Sequence, residues 1–334
     1  MLILGLDVGG TNSRALLADT QGRRIRTGTA PGGNPVAHPV AEAIRAIETA
    51  LRAALEDTDP AEVQAAVIGL AGLGRLAEPD VKRQFDQMWR RVGLRCRYRA
   101  VADPLVAFAA GTPASHGTLL LAGTGAIASQ IRDGEIERYA DGHGWLLGDL
   151  GSGFWIGREA IRATLDYLDG WAPPSGLTRA VLAELLGDAD VAVGRDSTTA
   201  VVNAVRRDSP VALSRFARTV ERTAAEGDTV AHQILHRAAE HLVTAASRVR
   251  GAAPDPGPLV LAGGLLTADT TLAARVRVLA AQRWPGVTIT AARDGAAGAA
   301  WLAARDLPDA ELPPSELHAR LLGDAVSGST SAAR

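Results

Sequence analysis

The stretch GLDVGGTNSRALLAD, Gly5 to Asp19, sets one carboxylate and two adjacent glycines between two apolar runs. Leu2 to Leu6 and Ser13 to Ala18 have the composition of strands, and Gly9-Gly10 between them is turn chemistry, so the spacing predicts a β-hairpin. Alone, the stretch leaves two readings open. Asp7 is either an ordinary residue at a bend, since Asp and Gly are the commonest turn formers, or part of a loop built to approach a ligand. The rest of the chain has to decide.

Working outward, the pattern gives strands at Leu2–Asp7, Ser13–Asp19 and Arg23–Ala30, and a helix from Pro39 to Glu56 with Val40, Ile44, Ile47, Leu51 and Leu55 on one stripe. A buried strand at Ala65–Leu70, a helix at Val81–Val92 and a strand at Tyr98–Ala102 follow. The pattern then restarts: Thr118–Ala122 runs into Gly123-Thr124-Gly125, and Ile127–Arg132 and Ile136–Tyr139 flank an Asp133-Gly134 turn. Helices are expected near 153–169, 177–186, 196–206, 210–226 and 228–250. After them come a strand at Leu259–Ala262, a helix near 271–283, a strand at Val287–Ala291 and a helix near 295–305. This is a mixed α/β unit used twice, with a helical insertion in the second copy. The domains expected are 1–115 and 116–320, with the helix near 295–306 a candidate to pack back on the first. A tail rich in Ser, Gly and Ala at 321–334 is expected to be disordered.

A chain of 334 residues with 47% hydrophobic and 22% charged residues is long enough for real cores. Its net charge of -2 offers no general attraction for nucleic acid or an anionic membrane. Lys82 is the sole lysine, which removes lysine from most catalytic schemes. Cys96 is the sole cysteine, so internal disulfides, iron–sulfur clusters and cysteine-rich zinc sites are excluded. No apolar stretch approaches the ~20 residues that cross a bilayer. With no signal peptide ahead of the first strand, a cytoplasmic protein is expected.

Four places carry the chemistry. The strand–glycine turn–strand unit occurs at Asp7–Thr11 and again at Gly123–Gly125, and glycine lets backbone N–H groups face a phosphate without an intervening side chain. Thr11 and Thr124 add hydroxyls, and Asp7 suits Mg²⁺ held partly through water. Asp103 ends the strand YRAVAD and precedes Pro104; it reads as a helix N-cap, as a general base at the carboxyl end of a strand, or both. GHGWLLGDLGSGFWIG, Gly142 to Gly157, crowds glycines around Asp149, whose carboxylate would accept sugar hydroxyls, with His143 as a second polar group. Trp145 and Trp155 are expected in the core. LVLAGGLLT, Leu259 to Thr267, bares its backbone at Gly263-Gly264, where a flat ring could approach. The small residues of DGAAGAAWLAA, from Asp294, are expected to serve close packing between domains.

With these residues assembled, the chain resembles the actin/sugar kinase/Hsp70 ATPase superfamily, and within it the BadF/BadG/BcrA/BcrD group that contains N-acetylglucosamine kinase. The likeness runs over about residues 2–306. DVGGTNS resembles the first phosphate motif, LAGTGAIA the second, VAD the connecting segment, LVLAGGLLT the adenosine motif and GHGWLLGDLGSGFWIG the sugar segment. The resemblance implies two ribonuclease H-like (actin-like ATPase) domains with an interdomain cleft that close over their substrates. It implies ATP and Mg²⁺ as cofactors, with Asp7 on the metal. Gly9, Gly10, Thr11, Asn12, Gly123, Thr124, Gly125, Ser214, Gly263 and Gly264 would lie on the nucleotide. Asn34, Asp103, Gly142, His143, Gly144 and Asp149 would lie on the sugar, Asp103 as the base. An amino-sugar substrate, the 6-hydroxyl as acceptor and a homodimer are expected. His143 and Leu150 stand where the family usually has Trp and Glu, which leaves glucosamine and other hexoses as alternative acceptors. A dehydratase-activating ATPase would need cluster-ligating cysteines. A sugar-binding regulator of this fold would need a DNA-reading segment before the first strand.

Overall fold

The structure, a computed structural model, describes residues 1–251, 257–308 and 312–323. From the amino end the chain forms β1 (Leu2–Val8), β2 (Asn12–Asp19), β3 (Arg24–Pro31), α1 (Val40–Ala54), β4 (Val63–Leu70), α2 (Pro79–Arg91), β5 (Tyr98–Ala102) and α3 (Asp103–Ala109). It continues through β6 (Gly117–Ala122), β7 (Ala126–Arg132), β8 (Glu135–Asp141), α4 (Gly153–Leu168), α5 (Gly176–Leu186), α6 (Arg195–Arg206), α7 (Phe216–Ala225) and α8 (Thr229–Arg250). It ends with β9 (Leu259–Ala262), α9 (Gly264–Thr267), α10 (Thr271–Arg283), β10 (Ile289–Ala291), α11 (Gly295–Arg305) and α12 (Pro314–Leu322).

These elements build two compact units, one from residues 1–115 with the segment from Ala292 onward, the other from His116–Ala291. Each holds one five-stranded sheet, β3-β2-β1-β4-β5 in the first and β8-β7-β6-β9-β10 in the second. In both, the first three strands form an antiparallel meander, and the fourth and fifth join parallel to the first. Element for element, the second sheet repeats the first. They differ between the third and fourth strands: the first unit inserts α1, the second inserts α4 to α8. This is the duplicated actin-like ATPase fold.

A nearly continuous apolar run puts Ile3, Leu4, Leu6 and Val8 of β1 at the centre of the first sheet, buried on both faces. Helix α1 lays its stripe of Ile44, Ile47 and Leu51 on this sheet. Gly28 lets it come close, since a Cβ there would overlap the Ala50 carbonyl. The second core gathers Leu120, Ala128, Trp155, Phe216, Leu242 and Leu261.

Five expectations change. The second unit closes at Ala291, not at 320, because α11 packs inside the first unit. Its small residues serve close packing within that unit. Gly5 of β1 would carry a Cβ into the backbone of Ala296 and Ala300, and Gly298 would carry one into the Val106 carbonyl of α3. Residues 321 and 322 belong to α12, which Gly323 ends in the left-handed conformation at φ 78°; the rest of the expected tail, 324–334, lies outside the described residues. The helix expected at 210–226 is a 3₁₀ turn over Pro210–Arg215 followed by α7. The tighter turn seats the Leu213 carbonyl against Gly157, where no side chain intervenes. Trp155 is buried as expected, but Trp145 is 38% exposed, resting on Phe154 with ring centroids 5.6 Å apart. Among the described residues no helix is long and apolar enough to cross a membrane.

Candidate active site

In the first unit, β1 and β2 meet at the turn Gly9–Thr11, closed by a hydrogen bond from the Gly9 N–H to the Asn12 carbonyl at 2.9 Å. Thr11 and Asn12 are exposed. The 32–38 segment braces the turn: the Gly33 N–H donates to the Gly9 carbonyl at 3.2 Å, and His38 Nε2 lies 2.7 Å from the Gly10 carbonyl. Neither Gly9 nor Gly10 has positive φ, and a Cβ on Gly10 would meet nothing within 4 Å. Backbone conformation therefore does not demand glycine at residue 10. What glycine provides there is empty space, the volume a phosphate would fill.

The carboxylate of Asp7, the penultimate residue of β1, makes no hydrogen bond among the described residues. Burial, and then the Asp103 and Asp294 carboxylates, push its pKa up to about 6, against the pull of Arg14. Asp294 caps α11 by accepting from the Ala296 N–H at 3.1 Å, and it pairs with Arg24 and, at 3.8 Å, with Arg14. The next residue, Gly295, lies so close to Asp7 that a Cβ would overlap its carboxylate. Asp103 is the first residue of α3, not its cap. Ala102 occupies the cap position and no side chain caps the helix. The Asp103 carboxylate thus makes no capping bond at the carboxyl end of β5, and burial raises its pKa to about 6, opposed by its own backbone N–H. Asn34 holds its own turn, accepting from the Val36 N–H at 2.8 Å, and leaves its amide nitrogen without a partner among the described residues.

In the second unit the Gly123-Thr124-Gly125 turn is closed by the Gly123 N–H on the Gly125 carbonyl, at 2.9 Å. Its carbonyls are consumed by α4: Gly153 N–H donates to Gly123 at 2.8 Å and Phe154 N–H to Thr124 at 3.2 Å. A Cβ on Gly123 would again meet nothing, and neither glycine has positive φ. Gly123, Thr124, Ser214 and Gly264 line one cavity of about 750 Å³. Gly263, beside it, is held at φ 82°, and a Cβ there would overlap the Ala122 carbonyl.

Two further cavity residues escape a reading of the sequence. Arg218 lines the cavity with no ion pair among the described residues. Glu221, one turn on, accepts from the Thr271 and Leu272 N–H groups at 2.9 and 3.1 Å, so it anchors the start of α10; burial pushes its pKa up despite those bonds.

The loop after β8 is tied to the same turn. Asp149 is buried, sits at φ 56°, and accepts from the Ala126 N–H at 3.2 Å, with its carboxylate packed on Gly125. Burial, first, raises its pKa. Asp141, itself at φ 67°, receives the N–H groups of Asp149 and Leu150. Gly142, His143 and Gly144 lie exposed ahead of Leu146, Leu147 and Leu150, also exposed. Asp141 was silent in the sequence because an Asp before a Gly reads only as a turn residue.

A fold of two repeated sheets, each with a glycine turn after its first strand, defines an actin-like ATPase. The family match is more specific: the BadF/BadG/BcrA/BcrD ATPase family matches residues 4–303, and the chain belongs to that family. It is 28% identical over 194 residues to the N-acetyl-D-glucosamine kinase of Dictyostelium discoideum, a match spanning 55% of this chain and 60% of that protein, less than two thirds of its length. It is 28% identical to the N-acetylmuramic acid/N-acetylglucosamine kinase of Clostridium acetobutylicum, over 73% of this chain and 78% of that one. The crystal structure of a candidate N-acetylglucosamine kinase from Chromobacterium violaceum superposes with a TM-score of 0.69 at 25% identity, covering 90% of this chain and 98% of the other.

Proposed function

We propose that the protein is an ATP-dependent sugar kinase that transfers the γ-phosphoryl group of ATP to the 6-hydroxyl of N-acetylglucosamine. The observation that carries this reading is Asp103, a carboxylate at the carboxyl end of a parallel strand, free of any capping bond and raised to about 6. A base with that pKa is ionised at neutral pH yet basic enough to draw a proton from an alcohol as it attacks. The oxygen–phosphorus bond forms, the bond to the leaving ADP oxygen breaks, and the proton passes to Asp103.

Other residues position and bind. The cavity at Ser214 and Gly264 takes the nucleoside, and the open spaces over Gly10 and Gly123, flanked by Thr11 and Thr124, take phosphate oxygens. Asp7 fits Mg²⁺: it is a single carboxylate without a hydrogen-bond donor, and Mg²⁺ is commonly held by one or two carboxylates with phosphates and water. Bound Mg²⁺ supplies charge neutralisation at the phosphates. No group of three or more His, Cys, Asp or Glu among the described residues is arranged to hold a metal. Asp149, His143, Gly142, Gly144 and Asn34 are assigned to the sugar.

Leu150 favours a second acceptor. An apolar residue where the resemblance expects Glu leaves no charge there to repel an anionic substituent, and a relative at 28% identity is an N-acetylmuramic acid/N-acetylglucosamine kinase, so N-acetylmuramic acid is the runner-up; Leu150 does nothing to attract the ammonium of glucosamine. The test is ATP consumption with Mg²⁺ across N-acetylglucosamine, N-acetylmuramic acid, glucosamine, glucose and N-acetylmannosamine, beside a sugar-free control, with ³¹P-coupled NMR of the product. Turnover strongest on N-acetylglucosamine with phosphate on C6 is expected. Sugar-independent hydrolysis, or none, would overturn the kinase assignment.

A further inference from the structure

Apart from every residue given a role above, the first unit has another cavity, of about 540 Å³, beside β5, the outermost strand of its sheet. Its interior is apolar, formed by Leu73, Leu76 and Leu94 with the rings of Trp89 and Tyr98, whose centroids lie 5.0 Å apart. Its rim is cationic. Lys82, Arg90, Arg95 and Arg97 line it against one carboxylate, Asp86. Asp86 is already committed: it pairs with Lys82 at 2.6 Å and accepts from the Tyr98 hydroxyl at 2.8 Å. Arg90 gives its Nε–H to a backbone carbonyl of its own helix, which neutralises no charge. Arg95 and Arg97 are exposed and make no hydrogen bond or ion pair among the described residues.

Exposed arginines are common, and several elsewhere in this unit have acidic partners, although Arg45 and Arg305 have none among the described residues. Arg26 pairs with Glu56 and Asp57, Arg52 and Arg91 with Glu48, and Arg83 with Asp80. Around this cavity the single carboxylate, Asp86, is already paired with Lys82, although the chain as a whole has a net charge of -2. Uncompensated guanidinium groups at the mouth of an apolar pocket focus positive potential and present paired N–H donors that match phosphate oxygens. The volume lies within the ~300–1,000 Å³ of small-molecule sites.

We propose that this cavity binds a small ring-bearing phosphate monoester, with the phosphate on Arg95 and Arg97 and the ring against Tyr98 and the leucines. A sugar phosphate and a nucleoside monophosphate share that chemistry. The proposal does not depend on which sugar the protein phosphorylates.

Cys96, the sole cysteine, lines the cavity and is half-buried, so its modification reports on this site and no other. The full chain is treated with iodoacetamide, a neutral reagent, at mildly alkaline pH because burial raises the thiol. Alkylation is followed by mass spectrometry with no addition, inorganic phosphate, AMP, or N-acetylglucosamine 6-phosphate. The expected result is saturable protection by one of the ring-bearing phosphates, about tenfold at ten times its Kd, and weaker protection by inorganic phosphate. The arm that protects best identifies the ligand class. An Arg95→Ala/Arg97→Ala variant, which breaks no side-chain hydrogen bond or ion pair among the described residues, should lose the protection while keeping its unprotected alkylation rate and its basal activity. Three results would overturn the proposal: no protection by either ring-bearing phosphate, protection that survives in the double variant, or a thiol that becomes unreactive with rising protein concentration alone, which would mark the face as covered by a second copy.

Discussion

Asp141 accepts the backbone N–H of Asp149 at 2.6 Å, and Asp149 in turn accepts the N–H of Ala126 at 3.2 Å. Two carboxylates in series thus tie the end of β8 to the loop assigned to the sugar, and that loop to the glycine turn assigned to phosphate. Both hold φ above zero, a backbone region that L-residues adopt only when their surroundings impose it. Asp141→Asn turns one acceptor oxygen into a donor facing an N–H. Losing a charged hydrogen bond of this kind costs about 1.5–3 kcal/mol, so the KM for the sugar should rise about 10- to 100-fold. The KM for ATP should change much less, because Ser214 and Gly264 lie outside this chain of bonds. Steady-state kinetics with each substrate varied in turn decides it: equal losses for both would mean that Asp141 holds the unit's structure at large and not the sugar loop.

Asp103→Asn should leave ATP and sugar binding by calorimetry close to wild type and lower kcat by ~10²–10⁴-fold, the usual contribution of a general base. The wild-type rate should also fall as pH drops through about 6, where Asp103 takes up its proton. Asp7 is raised to the same region and feels the Asp103 charge, so the apparent value belongs to the pair. Turnover near wild type in the variant would remove Asp103 from the base role.

The parts of this architecture that depend on neighbours in the chain could be read directly. The β1–β2 hairpin, the second hairpin at Asp133-Gly134 and the limits of α10 and α11 follow from periodicity and turn residues. The carboxylate of Asp103 was visible as an Asp closing a strand, though its place inside α3, not at its cap, was not. What escaped the sequence is long-range. His38 reaches Gly10 across 28 positions and Glu221 reaches Thr271 across 50. No local pattern marks either contact. The glycines at 10 and 123 were read as leaving the backbone without an intervening side chain, and a Cβ at either would meet no atom within 4 Å although φ is not positive there. Pro210 was legible as a helix start, but not the tight turn that the approach of Leu213 to Gly157 imposes after it.

Asp7 should lower the stability of the ligand-free protein at neutral pH. A carboxyl raised on folding from 3.8 to about 6 favours the folded state in its protonated form. That contribution is complete below the unfolded value and disappears as pH rises through about 6. Above pH 6 the buried charge costs on the order of 2–3 kcal/mol, at 1.36 kcal/mol per unit. Asp7→Asn, neutral at every pH, should therefore be more stable than wild type in urea unfolding at pH 8 with a chelator present, and the advantage should hold down to about pH 6 and shrink from there toward pH 3.8. An advantage independent of pH would mean that the charge is not its cause.

Neighbouring glycines should separate space from strain. At Gly123 and Gly264 a Cβ meets no protein atom and φ is not positive, so alanine should leave the melting temperature unchanged or raise it slightly; Gly→Ala at a compatible position gains about 0.4–1 kcal/mol. If those spaces receive the nucleotide, the same methyl should displace it and raise the KM for ATP about tenfold or more, the equivalent of ~1.4 kcal/mol. Gly263→Ala should do the opposite. It must hold φ near 82° and force a methyl into the Ala122 carbonyl, so stability should fall by about 2 kcal/mol or more before any nucleotide is added. Thermal melts beside ATP titrations of the three variants distinguish the cases. A KM for ATP unmoved in stable Gly123→Ala and Gly264→Ala would show that neither opening is the nucleotide's, and the assignment of the cavity at Ser214 would fall with it.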